Sequence, residues 1–237
     1  MTTNAGQRTD TGELHHDDGA PAKSVLHYIF DPLCGWCYAA GPLIEAARGV
    51  QGLDIVVHGG GMLAGPNRRT ITPDWADHVI PHDRRIAQMT GQPFGDAYYN
   101  GLLRDTRVVL DSEPPITAIL AAEALAGRGL DMLRRQQRAY YVEGRCISER
   151  AVLSELAAEL GFDPQAFDAQ FDACAGTPTL DHIKLSRRML SAVGGHGFPT
   201  FALQGPDDTV EPLEIGTLLG KPDQWKAALE ARIAMHR

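Results

Sequence analysis

The sequence predicts an α/β chain: a strand–helix–strand unit, a long all-helical insertion, then a closing pair of strands and a terminal helix. Three observations predict it. A Cys-Gly-Trp-Cys motif stands between a run of strand formers and a helical segment. Helix-cap signals then recur about every 15 residues. Strand character returns only after Gly197.

Val25 to Phe30 is a short apolar run rich in strand formers. Tyr38 to Ala47 reads as one helix, and Leu53 to His58 alternates as a second strand, closed by Gly59-Gly60-Gly61. Together they have the length of a βαβ unit with a right-handed crossover. The glycine triplet is followed by Met62 rather than a phosphate-loop lysine, so it gives little support to nucleotide binding. A helix over Asp74 to Met89 is expected to be interrupted near Pro81. Pro115 to Ala126 is Ala-rich and closed by Gly127. Asp131 to Glu143 precedes Gly144, and Glu149 to Leu160 has Ser148 as its expected N-cap. Asp163-Pro164 reads as a cap followed by proline at the first helical position, and Thr177-Pro178 opens another helix. Phe198 to Leu203 and Thr209 to Leu213 are the returning strands, and Pro222 opens the last helix. The predicted organisation is a polar tail over 1–23, a discontinuous α/β domain over 24–66 and 195–237, and a helical insertion over 67–194.

The 237 residues carry a net charge of −8, and 43% of them are apolar. The acidic balance argues against nucleic acid and anionic membranes as main partners. No apolar run approaches the roughly 20 residues of a membrane span. The polar tail has no apolar segment of the signal-peptide kind, which leads to the expectation of a reducing, cytoplasmic setting.

Cys34 and Cys37 are the candidate catalytic residues. At i and i+3 of a helix both sulfurs share one face. Unpaired N–H groups and the positive dipole end at a helix start favour an anion such as a thiolate. Cys34 is therefore expected to attack, and Cys37, one turn deeper, to resolve the mixed disulfide. Gly35 allows close approach of a partner backbone, and Trp36 offers an apolar contact surface. A zinc site needs a second ligand pair, whereas Cys146 and Cys174 are single and widely separated. These two read as inert thiols, with a mutual pair or a second relay as the alternatives. His27 reads as a core or edge histidine. His196, beside the Gly197-Phe198-Pro199 loop, is a candidate for stabilising a thiolate when protonated.

Pro199 at a strand start removes a ladder hydrogen bond. A cis bond at this position turns the Phe198 backbone outward, where it can pair with an extended peptide; a trans structural proline is the plainer reading. Residues 28–37, with Gly197-Phe198-Pro199-Thr200, resemble the active-site strand and proline loop of the DsbA family of thioredoxin-fold thiol–disulfide oxidoreductases, in its signal-less cytoplasmic, FrnE-like branch. Ser112-Glu113-Pro114-Pro115 and residues 139–145 resemble segments of that family's helical insert. The resemblance implies a thioredoxin-like fold with a large helical insertion. It also implies Cys34 as nucleophile, Cys37 as resolving thiol, Pro199 as a cis-proline facing them, and Phe198 as the residue shaping poise and substrate contact. Gly35-Trp36 differs from the Pro-His of periplasmic oxidases, so reductase or isomerase behaviour is expected.

The expected partners are protein or peptide thiols and disulfides, with glutathione or thioredoxin as redox partner. No cofactor is expected beyond the Cys34–Cys37 disulfide itself, with glutathione as a candidate co-substrate. Two rival functions differ in class. One is a kappa-type glutathione transferase or 2-hydroxychromene-2-carboxylate isomerase, which usually has serine at the Cys34 position and lacks the second thiol. The other is a non-catalytic thioredoxin-fold binding module.

Overall fold

The computed structural model describes residues 23–235; the expected polar tail therefore lies almost wholly outside the described residues. The central sheet has the order β2-β1-β5-β6, with β1 Ser24–Phe30, β2 Leu53–Gly59, β5 Thr200–Gln204 and β6 Val210–Leu213. β1 and β2 are parallel, from Ser24 opposite Leu53 to Phe30 opposite Gly59. β5 runs antiparallel to β1 with Phe201 opposite Tyr28, and β6 is antiparallel to β5. Period-2 alternation puts Leu26, Tyr28 and Phe30 on one face. There Tyr28 stacks on Phe201 at 4.8 Å, and Phe201 meets Trp225 edge-on. Trp225, Leu229 and Ile233 are the buried side of α9 (Pro222–Met235), which packs on α2 (Gly41–Ala47).

The expected single helix after the cysteines is two: α1 (Gly35–Ala39) and α2. Pro42 has no N–H to give to the carbonyl of Tyr38, so the ladder breaks. The side-chain amide of Gln92 donates to that carbonyl instead, at 2.8 Å. Strand β5 starts at Thr200, so Phe198 and Pro199 form a loop ahead of it.

The insertion comprises α3 (Pro73–Thr90), α4 (Glu113–Ala126), α5 (Gly129–Tyr141), α6 (Arg150–Glu159), α7 (Pro164–Cys174) and α8 (Thr177–Ala192). α3 runs unbroken through the exposed Pro81, correcting the expected interruption. Thr72 caps its start by accepting from Trp75 N, and Gly91, at φ +72°, ends it. Asp163 caps α7 as expected, accepting from Ala166 N at 2.8 Å. Ser148 does not cap α6. Its hydroxyl bonds both backbone groups of Asp111, and Glu149 takes the cap position. α4 is apolar nearly all round and correspondingly buried, packed by α5, α6, α7 and α8. Glu143 and Arg145 join Arg135 and Glu159 in an ion-pair network linking α5 to α6. A two-stranded ribbon, β3 (Arg69–Thr70) with β4 (Val109–Leu110), has no counterpart in the sequence expectations. Its strands are too short to show a period. A π-helical turn over Ala97–Gly101 also went unforeseen.

Candidate active site

Cys34 stands at the N-cap of α1 in extended conformation, and its carbonyl accepts from Cys37 N and Tyr38 N. It is 7% exposed, while Cys37 behind it is fully buried. Both are free thiols. Cys34 Sγ lies 3.5 Å from the carbonyl oxygen of Phe198, and the Phe198–Pro199 bond is cis. Strand β1 and the loop before β5 thus bring Cys34 and the proline loop together across 164 residues of sequence. Burial is the first cause holding the Cys37 thiol well above its ordinary range. Its hydrogen bond to Cys34 and the charge there add to the effect, while the Asp31 N–H opposes it. Cys37 therefore rests as a protonated thiol, with Asp31 N 3.4 Å from its sulfur.

Asp31, which the sequence reading passed over, organises the site. It is fully buried. Its Oδ1 accepts from Leu33 N at 2.9 Å and from the Ser112 hydroxyl at 3.0 Å, while Oδ2 accepts from Met62 N. Its own carbonyl accepts from Cys34 N. One side chain therefore joins the end of β1, the glycine loop after β2 and the entry to α4. Burial raises its carboxyl above the usual range, against these hydrogen bonds and the Arg187 charge, which lower it.

The glycine triplet turns out to be a close-approach device. A Cβ at Gly60 would overlap the Phe198 ring. α8 clamps this loop: Arg187 donates to the carbonyls of Gly60 and Gly61 at 2.8 and 2.6 Å, and Gly59 N donates to His182 Nε2 at 3.0 Å. Trp36 and Phe198 are half-buried beside the cysteines. The guanidinium of Arg85 on α3 sits 5.8 Å from the Trp36 ring, a further residue absent from the sequence reading. His196 is exposed, and no hydrogen bond or ion pair joins it to Cys34 among the described residues. His27 is more engaged than expected, with Nδ1 3.0 Å from His58 Nε2 and Nε2 2.9 Å from Gln204 Oε1. Cys146 is buried and Cys174 half-buried; both are free thiols. Among the described residues no cluster of three or more His, Cys, Asp or Glu is arranged to hold a metal ion. None of the described helices is long and apolar enough to cross a membrane.

The DSBA-like thioredoxin domain family matches residues 25–223. Among solved structures, the cytosolic disulfide reductase DsbM from Pseudomonas aeruginosa is 53% identical, with a TM-score of 0.84 over 89% of this chain and 99% of that one. The same DsbM with GSH matches at 52% identity and TM-score 0.82, over the same shares of the two chains. A 2-hydroxychromene-2-carboxylate isomerase aligns with 89% of this chain and 98% of its own at TM-score 0.56, but at 15% identity that likeness is one of fold. No curated protein matches the chain in sequence. The chain belongs to the DSBA-like thioredoxin domain family, and its enzyme class is that of the disulfide reductases and isomerases.

Proposed function

We propose that this enzyme is a cytoplasmic disulfide reductase that acts through Cys34 and Cys37 and is recharged by glutathione. The arrangement of the two sulfurs carries the reading. One keeps a small exposed fraction, 7%, beside a peptide-like carbonyl, and its partner is wholly enclosed behind it. The 53% identity to a cytosolic disulfide reductase supports the direction of electron flow, and the GSH form of that protein supports the redox partner.

The thiolate of Cys34 attacks one sulfur of a substrate disulfide. A Cys34–substrate bond forms and the second substrate sulfur leaves as a thiolate. Cys37 then gives up its proton and attacks Cys34 Sγ, releasing the first substrate sulfur, which takes up a proton. Two electrons have passed from the dithiol to the substrate. Two glutathione thiols restore the dithiol and leave as glutathione disulfide. Phe198 and Trp36 flank the reacting sulfur and supply apolar contact for a peptide. The Phe198 carbonyl lies 3.5 Å from that sulfur.

Replacing Cys37 removes the second attack and leaves the first. Cys37→Ser is expected to accumulate mixed disulfides through Cys34 when offered glutathione disulfide or a peptide disulfide, read by intact mass. Absence of any adduct contradicts the reading. Cys34→Ser is expected to form none.

A further inference from the structure

Gly35, between the redox cysteine and Trp36, faces an acid from the helical insertion. A Cβ placed on Gly35 would stand 2.9 Å from Asp83 Oδ1 and 3.2 Å from Ile86 Cδ1. Asp83 is 3% exposed and projects from α3 toward the start of α1. Its other oxygen accepts from the Tyr98 hydroxyl at 2.9 Å. No cation is paired with it among the described residues. The groups around it are Tyr98 and Tyr99 from the π-helical turn and Tyr140 and Tyr141 from α5; Cys34, like Asp83, acts on Tyr141, and Arg84, on its own helix, acts on Tyr99. A carboxyl in such an aromatic enclosure holds its proton to unusually high pH. Burial pushes Asp83 up to about 7, against the Tyr98 hydrogen bond.

We propose that Asp83 is a positioning residue of the redox site, whose ionisation beside Gly35 sets the pH dependence and the reducing bias of the Cys34–Cys37 couple. This rests on the disulfide-exchange reading. Ionised Asp83 places a negative charge beside Gly35, the residue after Cys34, where it opposes ionisation of a thiol that only the reduced enzyme has. Above neutral pH the carboxylate therefore disfavours the reduced form and makes the dithiol a stronger reductant. Below neutral pH the carboxyl is neutral and the bias disappears.

The experiment equilibrates the full chain with glutathione and glutathione disulfide at pH 6 and pH 8 and counts reduced enzyme by acid quench and mass. The exchange is one enzyme disulfide plus two glutathione thiols for one enzyme dithiol plus glutathione disulfide. Asp83→Asn is expected to shift the equilibrium toward reduced enzyme about three- to tenfold at pH 8, the scale of one nearby charge in a partly screened site, and less than about twofold at pH 6. The rate of Cys34 alkylation against pH is expected to show an inflection near 7 in the wild type that D83N lacks. Tyr98→Phe, which removes the donor stabilising the carboxylate, is expected to move that inflection upward; it decides the question if D83N fails to fold. A folded D83N with wild-type equilibria at both pH values, or an inflection that Y98F leaves in place, overturns the role of Asp83. A wild type that does not equilibrate with glutathione at all overturns the exchange reading, and the proposal with it.

Discussion

Asp31 shows what a sequence can conceal at the scale of one residue. Cys34, Cys37 and Pro199 could be picked out because each belongs to a pattern with its own chemistry: a pair at helical spacing, and a proline where a strand should begin. Asp31 precedes a proline and reads as an ordinary turn former. Its importance lies in partners 31 and 81 positions away, Met62 and Ser112. Asp83 left a fainter signal, an acid on the α3 face that also carries the buried Ala76 and Ile86. Asp31→Asn turns one of two accepting oxygens into a donor that faces donors. The expected cost is about 1–3 kcal/mol, with slower exchange because the Cys34 turn loosens. Urea midpoints and turnover together check this; wild-type values for both would contradict the role assigned to Asp31.

At the scale of the element, the helices of the insertion were the most legible. Asp163-Pro164, Thr177-Pro178, Gly127 and Gly161 mark their ends by local chemistry that needs no tertiary partner. Three features depended on distant residues and were not legible. The break between α1 and α2 is completed by Gln92. The β3–β4 ribbon is two residues wide. The Gly59-Gly60-Gly61 loop takes its shape from Arg187 and His182 on α8. That loop packs against the Phe198 ring, so Gly60→Ala is expected to displace the ring and with it the Phe198 carbonyl beside Cys34. Reduction of a peptide disulfide should then fall about tenfold in kcat/KM, the scale of a misplaced substrate contact. The Cys34–Cys37 disulfide should still form with a chemical oxidant. Unchanged kinetics in a folded G60A would argue that the loop does not position Phe198.

At the scale of the molecule, two buried titrating sites work against each other. His58 is pulled down to about 4, by burial first and then by the charges of His27 and His182; burial lowers His182 as well. The unfolded chain takes up these protons first, so their contribution is present above about pH 6.5 and is lost as pH falls toward 4. Asp83 has the opposite sign. Its raised folded value means that the native state holds the proton longer, and stability declines as pH rises from about 4 through 7. His58→Gln is expected to reduce the loss of stability between pH 7 and pH 5, and Asp83→Asn to remove the decline on the alkaline side. Urea midpoints across that range separate the two; parallel profiles for wild type and both variants would contradict the assignment. The gross plan of the molecule, a sheet interrupted by a helical insertion, was legible because hydrophobic period and cap signals change together near Thr72 and again after Gly194. The most direct test of the whole account is to titrate the enzyme through glutathione buffers from reducing to oxidising and map the products by mass. The account predicts loss of two hydrogens confined to the segment holding Cys34 and Cys37, reversed by excess glutathione. Oxidation that never joins those two sulfurs would contradict it.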